Sequence, residues 1–175
     1  MILIVGLGNP GRKYLKTRHN AGFEFLEYYK DAKRFPDFDF VDKFSSFVSE
    51  QDKTYLSLPQ TFMNNSGKAV ASIKNFYKLK LENIIIVHDD IDIKLGDVRL
   101  SKDSSSAGHK GIESIINELG TKDFYRVRIG IKPDKKPFST EEFVLKKFSK
   151  EEYQLIEETF VKTESIIDEI LTKTK

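Results

Sequence analysis

The sequence predicts an α/β fold, a mixed central β-sheet covered by helices on both faces, and three observations predict it. Short apolar runs alternate with segments of helical apolar spacing, a hairpin is interposed between them, and a long amphipathic helix closes the chain. Ile2 to Val5 is the first apolar run, and it ends in glycines. Apolar periodicity then starts at Phe23, Phe25 and Leu26. Phe44 to Glu50 and Thr54 to Leu58 read as two extended segments turned by Gln51, Asp52 and Lys53. Val70, Ile73, Phe76 and Tyr77 stand at helical spacing, and Asn83 to Val87 is a second, β-branched strand bounded by Asp89 and Asp90. Ile112, Ile115, Ile116 and Leu119 mark a helix that closes at Gly120, and Arg126 to Ile131 alternates like a strand with one covered face. In the last helix Ser149 and Glu152 form a capping box, while Tyr153, Ile156, Phe160, Ile167 and Ile170 make one apolar stripe.

At 175 residues with 39% apolar content the chain suits one domain, residues 1–175, and two would be cramped. No run of about 18 apolar residues occurs, and a signal peptide's basic region and cleavage site are lacking, so a cytoplasmic protein with no membrane partner is expected. Without cysteine there is no disulfide framework, thiolate nucleophile or Cys-based zinc site, which removes several enzyme classes. The net charge of +2 is too small to establish a polyanionic partner. Basic residues nevertheless bunch at Arg12, Lys13, Lys16 and Arg18, and again at Lys132, Lys135 and Lys136. Each bunch reads equally as a solvated loop or as a surface for an anion.

Gly6-Leu7-Gly8-Asn9-Pro10-Gly11 matches the G-x-G-x-x-G of dinucleotide-binding loops. In such a fold the third glycine opens a helix whose amides hold the pyrophosphate. Here Gly11 precedes Arg-Lys-Tyr-Leu-Lys-Thr-Arg-His-Asn, too charged and irregular for a helix packed on a sheet. Asn9-Pro10-Gly11 reads instead as a turn that leaves the sheet at a strand's carboxyl end, where open α/β sheets place their ligands, and presents Asn9 there.

Five stretches, in order, carry a resemblance: GLGNPGRKYLKTRHNAG (Gly6 to Gly22), PQTFMNNSGKAV (Pro59 to Val70), VHDDID (Val87 to Asp92), SAGHKGIESII (Ser106 to Ile116) and FYRVRIGI (Phe124 to Ile131). Together they closely resemble the bacterial peptidyl-tRNA hydrolase family. The resemblance implies a monomeric, metal-free and cofactor-free α/β hydrolase that cleaves the ester between a peptide and the 3′-terminal ribose of tRNA, recycling prematurely released peptidyl-tRNA.

Ester hydrolysis requires a nucleophile, a base for its proton and donors for the developing oxyanion. With no cysteine and no G-x-S-x-G elbow, an activated water is the economical nucleophile. His19, His88 and His109 are the candidate bases, since histidine titrates at about 6.5 when unperturbed. The resemblance selects His19, with Asp89 accepting from its other ring nitrogen to fix the tautomer and stabilise the imidazolium. It implies that Asn64 orients water and substrate carbonyl and that Asn9 binds near the scissile ester, an amide being both donor and acceptor. Read alone, Asn64 is equally a helix N-cap ahead of Gly67 to Lys78. By the same resemblance Phe62, Met63 and Tyr14 wall the pocket, although an aromatic beside Met is often core, and His109 and Lys110 join the substrate loop.

The acceptor stem and 3′ end of tRNA present phosphates near the reacting ester. Arg128 matches the family's contact to the 5′-phosphate. Ser101 followed by Lys102 stands where some relatives carry the clamp's lysine, Lys110 replaces an asparagine, and Ser104 to Ser106 replace glycines. On a glycine-flanked turn Lys110 would partly replace the contact missing at Ser101. Three rivals remain: a non-catalytic RNA-binding protein on the same scaffold, a dinucleotide-dependent oxidoreductase built on GLGNPG, and a metallohydrolase using His88, Asp89, Asp90 and Asp92.

Overall fold

A computed structural model describes residues 1–133 and 137–173 of the chain. In chain order the main elements are β1 (Ile2–Gly6), α1 (Ala21–Lys33), β2 (Asp39–Val41), β3 (Ser46–Gln51), β4 (Thr54–Pro59), α2 (Ser66–Tyr77), β5 (Ile84–Lys94), β6 (Val98–Ser101), α3 (Lys110–Leu119), β7 (Tyr125–Lys132), α4 (Thr140–Val144) and α5 (Lys150–Lys173). The seven strands form one sheet in the order β2-β3-β4-β1-β5-β7-β6. Its centre, β4-β1-β5-β7, is parallel, while β2 and β3 on one flank and β6 on the other run antiparallel. The mixed sheet of the sequence reading is the sheet observed. No helix among the described residues is long and apolar enough to cross a membrane.

Strand alternation divides the core into two layers. Ile2, Ile4, Leu56, Leu58, Ile85, Val87, Val127 and Ile129 meet Phe25, Leu26 and Tyr29 of α1 and the stripe Ile156, Phe160, Ile167 and Ile170 of α5. Leu3, Val5, Tyr55, Ile84 and Ile86 meet Val70 and Ile73 of α2 and Ile112 and Ile115 of α3 on the opposite face. The capping box of α5 forms as its spacing predicts: the Ser149 amide donates to Glu152 Oε2 at 2.7 Å and the Glu152 amide to Ser149 Oγ at 3.2 Å. Gly120 ends α3 at φ 67°, the left-handed cap expected of it.

Several boundaries differ from the sequence reading. Phe44 belongs to a 3₁₀ turn, and the hairpin reverses through Asp52 and Lys53 alone, both at positive φ, because Gln51 and Thr54 still pair. Phe76 lies on the exposed side of α2, 57% accessible, and takes no part in the core. β5 does not stop at Val87 but continues to Lys94, so Asp89 sits inside a long strand and not at its end. Arg18, counted with the basic bunch, is only 7% exposed. Lys135 and Lys136 of the second bunch lie outside the described residues.

The glycine loop has its explanation in backbone proximity. A Cβ on Gly6 would stand 2.3 Å from the Gly22 carbonyl oxygen, and one on Gly22 would stand 2.3 Å from that of Val87. The Leu7 amide donates to Val87 O at 2.9 Å and the Phe23 amide to Leu7 O at 3.2 Å. These glycines therefore allow the end of β1, the first turn of α1 and the middle of β5 to touch main chain to main chain. Gly11 leads into 3₁₀ turns at Arg12–Tyr14 and Arg18–Asn20, so the helix expected directly behind a dinucleotide loop is absent.

Candidate active site

His19 sits in the 3₁₀ turn Arg18–Asn20, immediately before α1. The close approach of that helix to β5 brings its imidazole to Asp89: His19 Nδ1 lies 3.0 Å from both carboxylate oxygens. Nδ1–H is the donor in this arrangement, which leaves the lone pair on Nε2. Asp89 is 2% exposed and the His19 side chain 12%. Burial alone would lower the His19 pKa, but the Asp89 charge and hydrogen bond outweigh it and raise it above the ordinary 6.5. Burial alone would raise the Asp89 carboxyl, but its neighbours His19 and then His109 hold it well below the usual carboxylate range.

His109 occupies a place the sequence did not foresee. Its Nδ1 accepts from the Ile112 amide at 3.3 Å as the N-cap of α3. The ring proton must then reside on Nε2, which donates to Asp89 Oδ1 at 2.9 Å. Two imidazoles thus share one carboxylate, their ring centres 4.9 Å apart. His109 was expected beside the substrate; its polar atoms are taken up by Asp89 and α3. His88, the third candidate base, is buried, and its Nδ1 lies 2.6 Å from the Asp89 carbonyl oxygen. Burial holds it well below the ordinary histidine value, and its Nε2 is enclosed with no partner. It is neutral and out of reach of substrate.

The loop behind β1 ties the reacting turn to a second one. The Asn9 amide donates to Asn20 Oδ1 at 2.9 Å, Asn20 Nδ2 donates to Asn9 O at 3.0 Å, and Asn9 Oδ1 accepts from the Met63 amide at 2.8 Å. Asn9, expected beside the ester, is itself buried and fixes the 3₁₀ turn Met63–Asn65. Asn64 on that turn is exposed and does not cap α2, which starts at Ser66 behind Asn65. Met63 is 4% exposed in the core on the α2 and α3 face, so its side chain is no channel wall. Phe62 does face outward, 50% exposed, edge to face with Tyr14 at 6.4 Å between ring centres. Its backbone stands at φ 59°, ψ 158°, a region that side chains other than glycine's rarely enter.

A cavity of about 110 Å³ opens beside the pair, lined among others by His19, Asp89, Asp90, His109, Lys110 and Glu141. Lys110 is the first residue of α3 and not part of a free turn, and its Nζ lies 3.5 Å from Glu113. Arg128 reaches Asp90 at 3.2 Å, and Lys102 reaches Asp123 at 3.2 Å. Among the described residues one group has metal-ligand spacing, His19, Asp89 and His109, with ligand atoms within 4.8 Å of one another. It is not the set His88, Asp89, Asp90 and Asp92 suggested by the sequence, because neighbouring strand residues point to opposite faces.

Arg18 was missed as a structural residue, since its partners lie far along the chain. Nη2 meets both carboxylate oxygens of Glu152 at 2.8 and 2.7 Å, and Nη1 donates to the carbonyls of Lys146 and Lys147 at 3.2 and 3.0 Å. The guanidinium covers the Phe143 ring at 4.3 Å.

A family model described as peptidyl-tRNA hydrolase matches residues 3–175. The peptidyl-tRNA hydrolase of Mycoplasma mycoides subsp. mycoides is 44% identical over 181 residues, spanning 99% of this chain and 95% of that protein. That of Desulfitobacterium hafniense is 43% identical over 162 residues, 90% of this chain and 86% of its own. The crystal structure of peptidyl-tRNA hydrolase from Acinetobacter baumannii superposes with a TM-score of 0.91 at 34% identity, covering 99% of this chain and 90% of that one.

Proposed function

The chain belongs to the peptidyl-tRNA hydrolase family and is an enzyme that hydrolyses peptidyl-tRNA, and from that premise we propose that His19 is its general base. The observation that carries this reading is the bond from His19 Nδ1 to Asp89, which leaves Nε2 with its lone pair free to take a proton from water. The resulting hydroxide attacks the ester carbonyl, the carbonyl oxygen takes up the electron pair, and collapse expels the ribose 3′-oxygen. Asp89 stabilises the imidazolium during this transfer, and the proton then passes to the leaving oxygen. His109 donates to Oδ1 of the same carboxylate and helps to fix it in place.

Asn64, exposed on a turn braced by Asn9, orients water and carbonyl through its amide. Phe62 and Tyr14 present an aromatic wall to the 3′ end. Lys110, beside His109 at the cavity, meets the acceptor end as a point charge, and Arg128 contacts a phosphate. In this reading residues 1–175 act as one domain, a monomer of the cytoplasm that needs neither cofactor nor metal. The test is cleavage of an N-blocked aminoacyl-tRNA by purified protein and by its His19→Ala variant. Turnover retained by the variant would reassign the base.

A further inference from the structure

His19 stands in the middle of a three-residue turn, and each of its neighbours ties that turn to a different part of the fold. Asn20 holds the loop behind β1 through Asn9. Arg18 is buried and reaches the other way, into residues 143–152. Nη2 takes both Glu152 oxygens and Nη1 donates to the Lys146 and Lys147 carbonyls. The flat of the guanidinium lies over the Phe143 ring at 4.3 Å and near that of Phe148 at 5.3 Å. The main chain doubles the link. The Arg18 amide donates to Lys146 O and the Phe148 amide to Lys16 O, both at 3.1 Å, and Thr17 bridges to Lys147.

Phe143 belongs to α4, a helix of five residues. So short a helix has too few internal bonds to hold itself, and its place depends on what it packs against. Thr140, Glu141 and Val144 of α4 line the cavity that His19 and Asp89 also line. Phe143 packs on Arg18 instead, so a wall of the cavity is attached to the residue before the proposed base. Stability alone is a poor account of this arrangement. A buried ion pair adds little net stability, and Arg18 Nε is enclosed with no acceptor, which is a cost.

We propose that Arg18 is a positioning residue which, with Phe143, locks the α4 wall of the cavity to the His19 turn and sets wall and imidazole as one body. The inference rests on the reading of His19 as the base. A guanidinium suits the task because its edge makes four directed bonds while its face takes a ring, a combination an ammonium does not reproduce. Loosening the lock frees His19 Nδ1 from Asp89. It leaves His109 in place, because that ring is held by the Ile112 amide of α3 and by the same carboxylate.

The experiment combines steady-state kinetics on an N-blocked aminoacyl-tRNA with proton NMR of the ring N–H groups, in the wild-type protein and in Arg18→Lys, Phe143→Ala and Phe143→Tyr. The ring protons on His19 Nδ1, His88 Nδ1 and His109 Nε2 each have an acceptor and should give separate sheltered signals in the wild type. Arg18→Lys and Phe143→Ala should each lower kcat on the order of 10- to 100-fold, with KM changed by less than about 3-fold. In both, the His19 signal should vanish by exchange with solvent while those of His88 and His109 persist. Phe143→Tyr keeps a ring over the guanidinium and should recover both kcat and the signal. Arg18→Lys and Phe143→Ala combined should cost no more than the more severe of the two, since they break one lock. Wild-type kcat in Phe143→Ala would overturn the proposal. Loss of all the ring signals together, or a fall in kcat that tracks the unfolded fraction in melting curves, would overturn it too and leave Arg18 a purely structural residue. Should Arg18→Lys fail to fold, the two Phe143 variants decide, since they leave the pair with Glu152 intact. Turnover retained by His19→Ala would instead defeat the assignment of the base, whatever the other variants do.

Discussion

At the scale of single residues, the proposed chemistry depends on which nitrogen of which histidine keeps its lone pair. His19→Ala removes the only exposed lone pair of the trio, so kcat should fall on the order of 10²- to 10⁴-fold in steady-state assays while KM moves much less. The rising limb of kcat/KM against pH should lie above 6.5, because the Asp89 carboxylate and its hydrogen bond outweigh burial at His19. Asp89→Asn leaves burial and removes the opposing charge, so the limb should move below 6.5 while kcat drops. A limb that moves upward in Asp89→Asn would contradict this electrostatic arrangement. The two perturbed histidines act oppositely on stability. Favouring His19's proton stabilises the fold below pH 6.5 and is lost as pH rises through its raised pKa. Keeping His88 neutral costs stability as pH falls below 6.5. Phe62 carries a different tension, a backbone at φ 59°, ψ 158° with its ring half exposed. That conformation costs on the order of 1–3 kcal/mol. Phe62→Gly should therefore leave the melting temperature unchanged or higher, against the usual penalty for glycine, and should raise KM through loss of the ring beside Tyr14.

At the scale of elements, α5 does two things with one glutamate. Glu152 closes the capping box and also receives Arg18, the residue before His19. Glu152→Gln should lower unfolding free energy in urea by about 1–3 kcal/mol, since a charge-assisted pair to a buried guanidinium is weakened. Because Arg18 fixes the His19 turn, kcat should fall with it and KM should change little. The box itself was legible because three residues of spacing define it, whereas the partner at its other end, 134 positions away, leaves no local trace. The same distinction separates the other successes from the omissions. The alternation of β1, the β-branched run of β5 and the stripe of α5 are local patterns. β2 has three residues, none of them buried, and α4 has five, so neither offers a full period. The continuation of β5 through Asp90 and Asp92 was hidden because acids there read as a strand's end, while pairing with β7 keeps the strand extended. At the candidate site, the resemblance pairs His19 with Asp89, and the two side chains do meet at 3.0 Å. The tautomer of His109 and the core position of Met63 required the caps and the packing.

At the scale of the whole molecule, a net charge of only +2 hides the bunching of Arg12, Lys13 and Lys16 behind β1. KM for tRNA should therefore climb steeply with salt while the melting temperature changes little, because surface ion pairs contribute weakly to stability. Parallel changes of both in one titration would mean that salt acts on the fold and not on the encounter. The contact of Gly6, Gly22 and Val87 carries a further consequence. The amides of Leu7 and Phe23, which bridge β1, α1 and β5 through 2.9 and 3.2 Å bonds, have no side chains between them that could loosen separately. In hydrogen–deuterium exchange they should open only when the entire molecule does, at the slowest rate in the chain, whereas amides between Ser101 and Gly108 should exchange through local fluctuations. The imidazole and its carboxylate would then belong to the last cooperative unit to open.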